Sequence, residues 1–259
     1  MKPSRAPSPT TPRRRPFLGT LAVLLNLLVS TVLVFEFTDY DLTIQELAFD
    51  RGNLQWALSR HDEPWAFLLY EAPKVLVMIV ASLMFLLGLG TKSLRDRLNV
   101  QRRAALFVPV CILLAMATVG AFKALSGIYC PSQLTHFGGS KPYLRLLEQM
   151  PPEAVSLTRG RCFPAAHPST LFALASLAFA WPHYARSALL LSFTLGWLTG
   201  TYQLLRGAHF FSHTLVTMLW VLTLVWCLAR AFRLTLYRDT PSPSVLEGSP
   251  FHGNEVRPQ

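Results

Sequence analysis

The chain has 259 residues, 51% of them hydrophobic and 15% charged, with a formal net charge of +10. Soluble domains carry about 25% charged residues, so this deficit excludes a soluble globular enzyme, a disordered chain and a secreted disulfide scaffold. The charges are also unevenly placed, and segments 16–35, 75–91, 104–122, 168–185, 187–205 and 207–229 contain none.

In chain order, residues 1–15 are rich in Pro, Ser and Arg and read as a disordered basic segment. The block 16–35 is too long for a signal-peptide core, and no small-residue cleavage site precedes Glu36, so it reads as an anchor helix. Each of the six uncharged blocks approaches the ~20 residues that cross a bilayer. Residues 16–232 are therefore expected to form one all-α bundle of six transmembrane helices, followed by a disordered tail over 233–259. Lys2, Arg5, Arg13, Arg14 and Arg15 precede the first block, and Lys92, Arg95, Arg97, Arg102 and Arg103 join the second to the third. Arg186 lies between the fourth and fifth, and Arg230, Arg233, Arg238 and Arg257 follow the sixth. Basic residues on alternate connections are the positive-inside pattern. The 36–63 connection is acidic instead, with Glu36, Asp39, Asp41, Glu46, Asp50, Asp62 and Glu63. The expectation is a bacterial inner-membrane protein with both termini cytoplasmic and the loops 36–65, 127–166 and 202–207 periplasmic. No folded basic face suited to nucleic acid is visible.

Three segments on that outer side carry more chemistry than a loop needs. They are Lys123-Ala-Leu-Ser-Gly-Ile-Tyr-Cys130-Pro131, Arg161-Cys-Phe-Pro-Ala-Ala-His167 and Gln203-Leu-Leu-Arg206-Gly-Ala-His209-Phe-Phe-Ser-His213. Ionisable residues near a bilayer are expensive and point to function. Lys and Arg donate to phosphate oxygens, a neutral His can attack phosphorus, and a second His can protonate the leaving oxygen. No carboxylate cluster accompanies them, which disfavours a magnesium-centred site. Metal-free phosphoryl transfer through histidine fits best, and no cofactor is expected. His209 and His213, at i and i+4, could share a metal, but the sequence shows no third ligand.

The three segments resemble the three-part signature of the type 2 phosphatidic acid phosphatase (PAP2) superfamily of membrane phosphatases: Lys-x6-Arg-Pro, Pro-Ser-Gly-His and Ser-Arg-x5-His-x3-Asp. Lys123 and Pro131 match the first element, with Cys130 at the usual Arg. Pro164 and His167 match the second, with Ala165-Ala166 for Ser-Gly. His209 matches the third, with Gln203 at the usual Arg and His213 at the usual Asp. The resemblance implies His209 as the nucleophile of a phosphohistidine, His167 as the acid for the leaving group, and Lys123 as a phosphate ligand. Around these, Arg206 and Arg161 are candidates for the missing phosphate donors, and His213 or Glu71 for the missing orienting group. Cys130 and Cys162 are candidates for a disulfide tying two site loops. The implied substrate is a lipid phosphate or diphosphate with its tails among the membrane lipids. A lipid phosphotransferase using the same intermediate, and a catalytically degenerate lipid-binding protein, are the alternatives.

Overall fold

A computed structural model describes residues 14–59, 64–148 and 158–236, with side chains from Phe17 onward. The expected basic leader therefore falls almost wholly outside the described residues, and so does most of the expected tail.

The described chain is all-α apart from a two-stranded hairpin. Its elements are α1 (Arg14–Phe37), α2 (Tyr40–Glu46), β1 (Phe49–Asp50), β2 (Gln55–Trp56), and α3 (Ala72–Leu89), entered through a π turn at Phe67–Glu71. They continue with α4 (Lys92–Arg97), α5 (Arg102–Ser126), α6 (Ala166–Ala173), α7 (Leu177–Ala180), α8 (Ala185–Leu205) and α9 (Phe211–Ala231). Five helices are long and apolar enough to cross a membrane: Phe17–Phe37, Phe67–Leu89, Arg102–Ser126, Pro182–Leu205 and Phe211–Ala231. The fourth apolar block folds differently from the other five. Its helix, Ala166–Ala180, is shorter, about 22 Å at 1.5 Å per residue. A 3-10 turn at Leu174–Ser176 interrupts it. It stops because Trp181 is non-helical ahead of Pro182, a position where proline disfavours helical backbone.

The bundle's core lies among α3, α5, α6, α7 and α9 and includes Phe107, Val108, Cys111, Phe172, Val221 and Val225. Lipid tails are as apolar as these side chains, so close approach and interhelical hydrogen bonds decide the packing. The Phe172 ring occupies the space where a Cβ on Gly196 would stand, which seats α6 on α8. Ser192 Oγ reinforces that contact by donating to the Leu171 and Phe172 carbonyls at 2.9 and 3.0 Å.

One end of the bundle carries a second apolar cluster, formed by Phe49, Ile128, Tyr129, Leu134, Phe137, Leu144, Cys162 and Phe210. This cap joins the β-hairpin to the segments after α5 and before α6. Phe49, Trp56 and Phe137 pack mutually, with ring centroids 4.8 to 5.3 Å apart. Glu36, at the end of α1, accepts from the Leu146 and Leu147 amides at 2.9 and 3.0 Å. Of the four orphan carbonyls expected at a helix C-terminus, the last three of α8 are met by this cap and the turn that follows the helix. Gln45 Nε2 donates to Leu204 O, the Leu58 amide to Leu205 O, and the Ala208 amide to Gln203 O.

Candidate active site

The histidines lie at the capped end, and the backbone explains why they meet. The segment after α5 pairs with the segment before α6 through a Gly127–Gly160 bridge and the Cys162 amide, which donates to Ile128 O at 2.9 Å. Cys130 and Cys162 join the same two segments as a disulfide, S–S 2.09 Å. The second segment is then tied to α9. The Ala165 amide donates to His213 O at 3.3 Å, and Thr217 Oγ1 donates to Ala165 O at 3.0 Å. The ends of α5, α6 and α9 that carry Lys123, His167 and His213 are thereby joined by main-chain hydrogen bonds, a disulfide and the Thr217 hydroxyl.

His209 and His213 are 4% and 3% exposed. Their Nδ1 atoms are 3.4 Å apart, so the pair can share one proton when one ring carries Nδ1–H and the other a bare Nδ1. Phe163 and Phe210 present ring edges to His213 at centroid distances of 5.1 and 5.4 Å. Cys162 Sγ lies 3.5 Å from His209 Nδ1 and 3.0 Å from Ala208 O. As a disulfide sulfur it has no proton to donate, so both are packing contacts. Burial, the neighbouring His213 and the Lys123 charge, in that order, hold His209 well below the usual imidazole range, and it is therefore neutral.

His167 sits at the start of α6 with its ring 4.4 Å from that of Tyr70 and its Nδ1 buried without a protein partner. The charges acting on it are Lys74, Lys123 and Arg206, partly opposed by Glu71. Tyr70 organises two of these cations. Lys74 Nζ stands 3.5 Å above its ring and the Arg206 guanidinium 5.4 Å from it, both within cation–π range. Arg206 also packs on Tyr202, and its Nε is buried without a partner. A cleft of about 210 Å3 opens here, lined by Tyr70, Lys74, His167, Thr170 and Thr199 among others.

Of the residues the sequence singled out, His167, His209, His213, Lys123 and Arg206 come together, and Cys130–Cys162 borders them. Glu71 is placed otherwise: it is half-exposed and accepts from Lys74 Nζ at 3.0 Å, while His213 is the group at His209 Nδ1. Arg161 is exposed, and Lys74 is the second cation beside Arg206 near His167. Sequence reasoning overlooked the use of Tyr70 and Lys74, whose i, i+4 spacing was the available signal. It also overlooked Asp41. This buried carboxylate accepts from the Ser212 amide at 3.0 Å and from Ser212 Oγ, and so caps α9 between the two histidines. Burial raises its carboxyl to about 6 against the lowering effect of those bonds.

Paired histidines under one lysine, next to a third histidine among cations, suit transfer of a phosphoryl group. The family model of the PAP2 superfamily matches residues 104–236, over half of the chain. No curated protein and no solved structure matched it. The chain belongs to the PAP2 superfamily, as a membrane protein of a family whose activity is of the phosphatase type.

Proposed function

We propose that this protein hydrolyses a membrane lipid phosphate or diphosphate through a phosphohistidine on His209. The observation that carries the reading is the facing Nδ1 pair of His209 and His213 under the Lys123 charge, with His167 and its own cations Lys74 and Arg206 alongside. With His213 Nδ1 as acceptor, His209 keeps its proton on Nδ1 and its Nε2 lone pair is free to attack. The 3.4 Å separation is long for a hydrogen bond, as catalytic contacts often are before substrate arrives.

His209 Nε2 bonds to phosphorus as the P–O bond to the leaving group breaks, and His167 gives that oxygen its proton. His167 then takes a proton from water, whose oxygen attacks phosphorus. The P–N bond breaks and inorganic phosphate leaves. Lys123, Arg206 and Lys74 hold the phosphate oxygens through charge-assisted hydrogen bonds. Cations supply the charge compensation, so no metal is assigned a role. The cleft at His167 adjoins apolar helices, which supports a substrate whose tails stay in the bilayer. The ends of the bundle support an orientation with the cap periplasmic and the termini cytoplasmic in a bacterial inner membrane. Lys92, Arg95, Arg102 and Arg230 lie away from the cap, whereas Glu36, Asp39 and Asp41 lie at it.

The test is phosphate release from lipid phosphates and diphosphates by detergent-purified protein in EDTA, with trapping of a phosphoenzyme. Acid-labile, base-stable label lost in His209→Ala is expected. Release that persists in His209→Ala would refute the reading.

A further inference from the structure

The sequence shows two potential imidazole ligands and no third, but the fold brings in sulfur. One donor atom each from Cys162, His209 and His213 lies within 4.8 Å of the others, and Cys130 is bonded to Cys162. We propose that reducing the Cys130–Cys162 disulfide turns this pocket into a two-thiolate, two-imidazole site for zinc, and that the zinc-loaded protein is inactive as a phosphatase.

Zinc holds sulfur at about 2.3 Å and imidazole nitrogen at about 2.0 Å, so donors around a tetrahedral ion stand roughly 3.3–3.8 Å apart. The Nδ1–Nδ1 distance is 3.4 Å and the Cys162 Sγ–His209 Nδ1 distance 3.5 Å. Two of the three donor separations therefore already match a zinc shell, and the third, Cys162 to His213, is within 4.8 Å and closes as the ion binds. Only Cys130 must withdraw from bonding distance, and it is the less buried of the two sulfurs. A cavity of about 40 Å3 reaches His213 between Asp41, Phe163 and Phe210 and offers an entry path.

The chemistry balances with a dithiol as reductant. Its thiolate attacks one sulfur, the cysteine S–S bond breaks, and its second thiol closes the reductant's own disulfide. Both cysteine sulfurs take up protons with the two electrons. Zinc then displaces the two thiol protons to solvent, and the imidazoles bind neutral. With Nδ1 bound to zinc, the neutral His209 ring carries its proton on Nε2, which then has no lone pair with which to attack phosphorus.

Full-length protein in detergent is compared oxidised and after reduction by a water-soluble phosphine, which breaks the S–S bond and becomes its oxide with oxygen from water. Each form is titrated with cobalt. The reduced protein is expected to bind one cobalt, with thiolate-to-cobalt charge transfer and the ligand-field bands of tetrahedral geometry. The oxidised protein is expected to show neither. Zinc should displace the cobalt and take phosphate release to background, and EDTA should restore release. Cys130→Ser leaves three donors and should retain a weakened spectrum, which guards against misfolding in Cys162→Ser, where the thiolate band should vanish. Equal binding by the oxidised protein, no thiolate band, or full binding in Cys162→Ser would overturn the site. The inhibition rests on the phosphohistidine reading, and the two fail separately. Cobalt bound as expected with phosphate release intact removes His209 as nucleophile but keeps the metal site.

Discussion

The part of the chain through α4, its earlier half, and the longer part from α5 onward, its later half, differ in what they bury. In the span at Phe17–Phe37 none of the most apolar window is inside the protein, and at Phe67–Leu89 the share is 28%, whereas Pro182–Leu205 has 33% and Arg102–Ser126 and Phe211–Ala231 reach 44%. The later half carries both central histidines and the family match. The earlier half contributes Asp41 under α9, Trp56 in the cap, and Tyr70 with Lys74 at the cleft. The proposed reacting groups thus lie in one half, and much of what positions them is supplied from the other.

Substitutions can break that division. The largest effects belong to the later half: His209→Ala should abolish phosphate release, and His167→Ala should lower kcat about a hundred- to ten-thousand-fold. Lys123→Met should cost about tenfold or more in kcat/KM through a lost charge-assisted bond. Removing that charge also relieves part of what holds His209 low, so the acidic limb of the kcat/KM profile should move to higher pH.

Earlier-half changes should act through position and stability. Asp41→Ala removes the α9 cap and should destabilise by about 1–2 kcal/mol, read in thermal melts. The folded state binds the Asp41 proton more tightly than the unfolded chain, with a value near 6 against 3.8. Wild-type stability should therefore fall as pH rises from about 4 to 6, and Asp41→Asn should be flat there. The smallest effect sharpens the comparison: Glu71→Gln frees Lys74 and should lower KM about twofold. A collapse of kcat instead would make Glu71 the orienting group.

Much of the frame was legible because charge exclusion marks membrane segments directly. The shortened fourth helix was not, since a charge-free run continues through Trp181 and Pro182, where the backbone turns. Histidines and Lys123 stood out because they gather on the side opposite the one the positive-inside pattern enriches in basic residues. Asp41 did not, being one of seven acids in its loop with nothing local to single it out. Tyr70 carries no charge to mark it, and only the fold lays Lys74 and Arg206 against its ring. Arg161 looked equivalent to Arg206, and only its exposed placement separates them.

Gly207 holds a left-handed φ of +67°, the Trp56 indole fills the place of its missing Cβ, and its carbonyl accepts from the Ser132 amide at 2.8 Å. This turn, set between Arg206 and His209, is therefore closed by a residue synthesised roughly 150 positions earlier. At about 5–20 residues per second, Trp56 waits on the order of ten seconds or more during synthesis before its glycine exists. The hairpin's aromatic side is an unfilled mould for that interval. Timing of translation, and whatever shields the exposed indole meanwhile, thus enter the yield of correctly closed pockets.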